Sequence, residues 1–479
     1  LERLRQADLM GMTLPREYGG LNMPKTIYCM AIEMVSRADA SLMNIFGLQE
    51  IAGTIYRYGT EDQRRRYLPR FCSGELTGAM ALTEPEAGSD LPAIKLKAVQ
   101  SEEDGKWRLS GTKHFITNGC AGVILVMGRS EPDVEDARGL SLFIYERDDK
   151  MNIRRIEDKY GIHGSPTCEL QFNNAEAELL GERRWGLIKY TMALMNGARL
   201  AVAAQAVGIA EAAYQKANTY AGIRMQFGHP IHDFAPICEM LTIMKASIEG
   251  ARALLYETSC IVDIRERMAE MIELHPEMKS ELRKRLKRAS DYELVFTSIL
   301  KCFATEMGNR VCYEALQVYG GAGYTRDFDI ERHCRDVRVT NIYEGTTQMQ
   351  VEAAIGGVLR GIVSRRLVEY ERDYDFAAIP DLHQAATELR QWLEAAVNAV
   401  NEKQDPDYQA LHARRLVDMA ADALIGYLLC IDGLKSERKQ KVACVFLAQA
   451  KARTKSALDT ILSEDRSCIE HRNAILGLD

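Results

Sequence analysis

Thr83-Glu-Pro-Glu-Ala-Gly-Ser-Asp90 stands where one periodicity stops and another begins. Upstream, over residues 1–76, apolar residues recur at spacings of three and four through 27–34 and 51–58, as amphipathic helices require. Gly19-Gly20 and Gly59-Thr60 punctuate them. Downstream, over residues 77–184, short strand-like runs take over at 123–127, 140–145 and 169–172. Turn signals at Glu103-Asp104-Gly105, Asn118-Gly119 and Asn173-Asn174 separate the runs. This pattern predicts a small, mostly antiparallel β domain. In the junction itself Pro85 and Gly88 set the course, while Thr83 and Ser89 offer hydroxyls and backbone N–H groups. Such a turn can bind a ring edge or an anion; a plain loop is the blander reading.

Long helices return after Trp185. Leu200, Ala203, Ala204, Val207, Ala210, Tyr214 and Ala217 fall on one helical face, with small side chains suited to close packing. Residues 264–290 are rich in charge and end in Arg283-Lys-Arg-Leu-Lys-Arg288. A solvated face or surface loop is expected there, with a nucleic-acid patch as the alternative. Residues 370–380 read as a linker, and 381–479 as helices again. The predicted architecture is α+β in four parts: a helical domain over 1–76, a middle β-barrel-like domain over 77–184, a four-helix bundle over 185–361, and an extra helical domain over 362–479.

The composition, 47% hydrophobic and 27% charged, is that of a globular protein, and 479 residues can bury several cores. A net charge of −7 disfavours a nucleic-acid binder. The twelve cysteines form no C-x-x-C and no dense framework. With Cys120, Cys168 and Cys302 in apolar patterns, reduced, buried thiols are expected. No apolar run approaches 18 residues, so no membrane span is expected. Because Leu1 opens inside a helix-like stretch, a further N-terminal piece is expected to precede it.

The segments that carry chemistry exclude several classes. There is no Walker loop, no G-x-G-x-x-G at a strand–helix junction, no serine elbow and no metal-ligand spacing; His229-Pro-Ile-His232 reads as a turn. Phe115-Ile-Thr-Asn-Gly119 sets a ring and a hydroxyl two residues apart, hence on one strand face, which suits a flat heterocycle as well as it suits an ordinary core strand. Gln317-Val-Tyr-Gly-Gly-Ala-Gly323 ends a helix with more glycines than a C-cap needs, which favours backbone contact with a ligand. Tyr343-Glu344-Gly345-Thr346-Thr347-Gln348 follows the charged segment 332–338 and can hold a carboxylate in a pocket; taken alone it would read as a helix-capping acid.

The order of these segments resembles the acyl-CoA dehydrogenase family from about Gly11 to Gly361, with Leu14-Pro-Arg-Glu-Tyr-Gly-Gly20, Tyr58-Gly-Thr-Glu-Asp-Gln63 and Tyr67-Leu-Pro as further matches. The resemblance implies FAD as cofactor. Met80, Thr83, Phe115 and Thr117 would line the flavin ring, and Ser89 would lie near the CoA or flavin phosphates. Arg224 and Phe227 would reach the FAD of a neighbouring subunit. Gln317 and Gly321 would touch the pyrophosphate and adenosine half across the same boundary, and Thr346 and Gln348 the adenosine part. Arg199 would help hold the CoA moiety, while Tyr343, Glu344 and Gly345 would flank the substrate's reacting carbons. Glu344 is thereby expected to remove the α-proton of an acyl-CoA while the β-hydride passes to the flavin. The thioester carbonyl would be held by the base's own N–H and a ribityl hydroxyl, and electrons would leave to an electron-transfer flavoprotein.

Three departures stand out. Phe115 occupies a position where many relatives carry tryptophan. Asn196 stands where many medium-chain relatives carry aspartate. The tail beyond 361 and the charged insert exceed the short family pattern. With His163-Gly-Ser-Pro-Thr-Cys168 and Met195-Asn-Gly-Ala-Arg199, they are most similar to the branch acting on 3-methylmercaptopropionyl-CoA or broad fatty acyl-CoAs. A homodimer is implied ahead of a tetramer, and a bacterial cytoplasm ahead of a mitochondrial matrix. An acyl-CoA oxidase or flavin monooxygenase is the alternative enzyme. A flavoprotein scaffold or nucleic-acid-binding member, resting on the 283–288 run, is the alternative of another class.

Overall fold

The computed structural model describes residues 1–478. Five helices come first: α1 (Glu2–Gln6), α2 (Lys25–Ala38), α3 (Ala40–Gly47), α4 (Ile51–Tyr58) and α5 (Glu61–Cys72). The strands follow as β1 (Gly78–Ala81), β2 (Lys97–Gln100), β3 (Trp107–Thr117), β4 (Val123–Arg129), β5 (Leu140–Glu146), β6 (Met151–Ile156) and β7 (Thr167–Leu179). Then come α6 (Met192–Ile223), the hairpin β8 (Met225–Gln226) and β9 (His229–Pro230), α7 (Ala235–Leu274), α8 (Lys279–Tyr319), α9 (Ile330–Val337) and α10 (Thr347–Leu359). The helices α11 (Ile362–Asp373), α12 (Pro380–Lys403), α13 (Pro406–Gly433) and α14 (Glu437–Leu462) continue the chain. Two compact units result: Leu1–Ile237 with Ala304–Thr346, and Cys238–Phe303 with Thr347–Asp479.

In the first unit a capping box starts α5. Thr60 accepts from the Gln63 N–H while the Gln63 side chain accepts from the Thr60 N–H, which satisfies two helix-end donors at once. The Gln63 amide also donates to Leu179 O (3.1 Å), tying the helical region to the end of β7. The sheet runs β1-β4-β2-β3-β7-β5, with β6 on β7, and the pairing of β4 with β5 closes it into a barrel. Most neighbours are antiparallel, but β4 runs parallel to β1 and to β2. The central strands β4 and β5 are apolar without alternation because both faces are covered. Val123, Leu125 and Met127 join a core with Ile55, Leu68 and Phe71 of the helices, whereas Ile124 and Val126 join the barrel interior with Leu109, Phe143 and Phe172.

Helix α6 departs from the one-faced reading. Every residue from 199 to 213 is buried, so its small side chains serve packing on all sides. Together with the helical turns before it, over Gly186–Ile223, this is the one helix among the described residues long and apolar enough to cross a membrane, and 61% of its most apolar 18 residues are buried inside the protein. The expectation of buried thiols holds for Cys168 and Cys302 but not for Cys120, which is exposed; all twelve cysteines are free.

In the second unit α12, α13 and α14 pack on one another, and α10 and α11 lie against α13. The expected linker shrinks: Tyr370 belongs to α11 and is 2% exposed, so only residues 374–379 connect α11 to α12. A Cβ at Gly250 of α7 would stand 2.6 Å from Ile425 and 3.2 Å from Phe446, so α13 and α14 approach that helix as closely as only glycine allows. The charged insert is helical, spanning the end of α7 and the start of α8; Arg288 pairs with Glu369 (3.1 Å) and Arg265 with Glu293.

Candidate functional site

Glu344 sits between α9 and α10 with φ +54°, and Gly345 follows at φ +88°. A left-handed non-glycine residue is uncommon and survives only where its surroundings hold it. Those surroundings come from α3 and α6. The Tyr343 hydroxyl donates to Gln205 Oε1. The Gln205 amide in turn donates to Asn44 Oδ1 (2.9 Å) and to Ala40 O (3.1 Å). Gln205 is fully buried and Asn44 is 5% exposed, so this polar strut lies in the dry core. Burial, then the nearby Glu344 charge, pushes the Tyr343 phenol well above its ordinary value, with the bond to Gln205 acting in the opposite sense.

Arg199, expected at the CoA moiety, is 5% exposed and lies within electrostatic reach of Glu344. Burial lowers its affinity for its proton, and the Glu344 carboxylate partly restores it. Its guanidinium also donates to Asn196 Oδ1 (3.2 Å), one turn back on α6. A second anchor holds the nearby loop: Asp336 of α9 accepts the Ile162 N–H (2.6 Å), and Ile162 has φ +48°.

The junction turn is organised from within by Glu84. Its carboxylate accepts from the N–H groups of Lys95 (2.8 Å) and Leu96 (2.9 Å) and from Lys113 Nζ (2.9 Å). Lys113, fully buried on β3, also donates to Leu82 O (2.7 Å). Burial pushes the Lys113 ammonium down to about 8, with Glu84 pulling the other way. Two bonds then lay β1 along the end of β3: His114 N–H to Thr83 O (2.9 Å) and Asn118 Nδ2 to Gly78 O (2.9 Å). Met80, Thr83, Phe115 and Thr117 are thereby brought to one region, and Ser89 lies exposed on the turn. Simple alternation does not place Phe115 and Thr117 on one face, because the β3–β7 register shifts between Lys113 and Ile116 and Phe115 takes φ +59°. That bulge leaves the Phe115 ring 58% exposed.

A separate corner forms at the end of α6. Tyr220 stacks on Tyr319 (4.1 Å between centroids), and Lys216 pairs with Asp329. Beyond them the β8–β9 hairpin turns on Phe227 (φ +50°) and Gly228 (φ +84°), with Arg224 exposed beside it and Phe227 91% exposed. Gln317 and Gly321 are exposed at the end of α8, and a Cβ at Gly320 or Gly321 would meet nothing within 4 Å. The half-buried Thr346 closes the first unit; Gln348, in the second, is exposed and donates to Glu352 (3.2 Å).

This donor set fits a flavin dinucleotide. It offers a flat exposed ring with threonine hydroxyls beside it, and elsewhere open glycines and an exposed arginine, as a ring and a pyrophosphate require. The strut residues Asn44 and Gln205 carry no sequence signal, since their partners are more than 130 positions away. Lys113 was legible as a charge interrupting a strand, and Glu84 lay inside the junction turn.

The chain matches known proteins along nearly its whole length. Family models for the N-terminal, middle and C-terminal domains of acyl-CoA dehydrogenase match residues 1–75, 79–175 and 188–359, and one described as acyl-CoA dehydrogenase C terminal matches 359–463. The chain is 36% identical to an acyl-CoA dehydrogenase of Bacillus subtilis over 73% of its own length and 86% of the relative's. It is 33% identical to the butyryl-CoA dehydrogenase structure from Megasphaera elsdenii, with a TM-score of 0.66, over 75% of this chain and 89% of that one. An acyl-CoA dehydrogenase complexed with FAD from Bacillus anthracis overlays 99% of this chain and 84% of its own at a TM-score of 0.84 and 24% identity, which extends the shared fold to the C-terminal helices.

Proposed function

The chain belongs to the acyl-CoA dehydrogenase family of FAD-dependent oxidoreductases, and on that premise we propose that it desaturates an acyl-CoA thioester to the trans-2-enoyl-CoA with Glu344 as the base. One observation carries this reading: a carboxylate held in a left-handed backbone position by a buried strut, with a buried arginine in electrostatic reach.

The α-proton of a thioester is weakly acidic, so the base must be aimed and the developing enolate stabilised. Tyr343, locked by Gln205, fixes where the next residue points. Glu344 takes the α-proton onto its carboxylate, and its backbone N–H polarises the thioester carbonyl. Arg199 offsets the charge of Glu344 before the proton arrives. Bound FAD supplies the acceptor for the β-hydrogen and its electron pair. Thr83, Thr117, Met80 and Phe115 would hold its ring, and Ser89 would lie near the CoA or flavin phosphates. Arg224, Phe227, Gln317 and Gly321 would reach the dinucleotide of a second copy of this chain, which favours a homodimer, and Thr346 and Gln348 would contact an adenosine part. Electrons then leave to an electron-transfer flavoprotein, in a bacterial cytoplasm, as the bacterial relatives suggest.

Glu344→Gln tests the base. The variant should retain FAD and bind acyl-CoA, yet its flavin should not bleach on mixing with acyl-CoA without oxygen. Bleaching at the wild-type rate would remove Glu344 from the role.

A further inference from the structure

Phe115 has a second ring behind it. The imidazole of His114 stacks on the phenyl with centroids 3.9 Å apart and planes 10° from parallel. His114 is itself gripped twice: Nε2 lies 3.1 Å from Glu157 Oε1, and its backbone N–H donates to Thr83 O (2.9 Å). Glu157 is held in turn by Arg155 (3.3 Å). Consecutive strand residues ordinarily point to opposite faces, so two neighbouring rings cannot stack on a regular strand. Here the bulge between Lys113 and Ile116, with Phe115 at φ +59°, folds the phenyl back over the imidazole.

We propose that His114 is a positioning residue for the flavin: clamped by Glu157, it backs Phe115 and keeps the outer face of that ring presented to the isoalloxazine. The inference rests on the assignment of Phe115 to the flavin made above. A phenyl that is 58% exposed has little packing to select one rotamer, so an unsupported ring would have to be ordered when the cofactor binds. The stacked imidazole does that ordering beforehand. Its own orientation is fixed by a carboxylate whose side chain is 11% exposed, so the support reaches back to the end of β6. The same backbone bond that grips His114 sets Thr83, a second expected ring contact, beside it.

The test uses the holoenzyme and measures the FAD dissociation constant and the fluorescence of bound flavin alongside Tm, for His114→Ala, His114→Phe, His114→Gln and Phe115→Ala. Aromatic pair strengths set the expected scale: His114→Ala should weaken FAD about fivefold and brighten the bound flavin. His114→Phe, which restores a stacked ring, should stay within about twofold of wild type. Should the alanine variant fail to fold, His114→Gln carries the test: it can still bond Glu157 but offers no ring, and should bind FAD as weakly as expected for alanine. If Phe115→Ala weakens FAD while the ringless His114 variants match wild type, the inference falls and the Phe115 assignment stands. If His114→Phe is as weak as those variants, stacking is not the cause and the inference falls. Should Phe115→Ala itself bind FAD normally, the assignment of Phe115 falls and takes the inference with it.

Discussion

The Tyr343 hydroxyl donates to Gln205 Oε1, so the side chain preceding the proposed base is anchored on α6. A strut of this kind separates aiming the carboxylate from the chemistry the carboxylate performs. Tyr343→Phe leaves the buried Gln205 oxygen without its donor, a loss of about 1–3 kcal/mol. Flavin reduction by acyl-CoA should slow about tenfold or more, as small misplacements of reacting groups do, with FAD content unchanged. Stopped-flow absorbance without oxygen measures this, and a wild-type rate would show that the strut does not aim Glu344.

Lys113 of β3 and Glu84 of the turn form a buried pair. Lys113→Met strands the carboxylate and should cost about 3 kcal/mol of stability, together with FAD retention. The sign with pH follows from the direction of the shift. The folded chain releases the Lys113 proton near pH 8, whereas the unfolded chain keeps it to about 10.5. Between those values the unfolded state binds more protons, so this group's contribution to stability rises with pH. Denaturant titrations from pH 7.5 to 10 should show the wild type gaining on the variant; a constant difference would mean the lysine is not titrating there.

Glu249 of α7 meets Arg438 and Lys439 (3.0 Å) of α14 within the second unit. Burial alone would raise its carboxyl, but the two cations outweigh that and hold it down at about 2. Its stabilising effect is present above the unfolded value of about 4.5 and is lost as pH falls toward 2. Glu249→Gln should therefore lower Tm at pH 7 and lower it less near pH 2.5. An equal Tm deficit at both pH values would contradict the pairing.

Arg224 and Phe227 project from a hairpin with little of their own chain around them. Arg224→Ala should lower FAD content and weaken self-association together, measured by flavin absorbance and analytical ultracentrifugation on one sample. Full FAD content in a stable monomer would contradict the shared site.

The strands expected at 123–127 and 140–145 fall where β4 and β5 lie, whereas residues 83–90 do not divide helices from barrel: β1 (Gly78–Ala81) precedes them, and the turn lies between β1 and β2. Local periodicity reports which faces are covered, and these segments are covered by their own unit. The sequence was less informative where a long-range neighbour decides. Residues 370–373 looked like linker because acidic and aromatic residues cluster there, yet Tyr370 is buried in α11 with its hydroxyl on Glu257 (2.6 Å). Likewise, nothing near Asn44 or Gln205 announces a strut to Tyr343.

By itself the sequence determined the order of helical and β segments, the carboxylate at 344 and the turn, aromatic and glycine segments proposed to hold a flavin, because each rests on residues adjacent in the chain. Only the tertiary structure decided how those groups are aimed: the left-handed backbone at Glu344, the bulge that turns Phe115 outward onto His114, and the burial of Lys113. The strained backbone, the strand bulge and the desolvation are each imposed by segments far apart in sequence, and they take a value only once those segments are packed together.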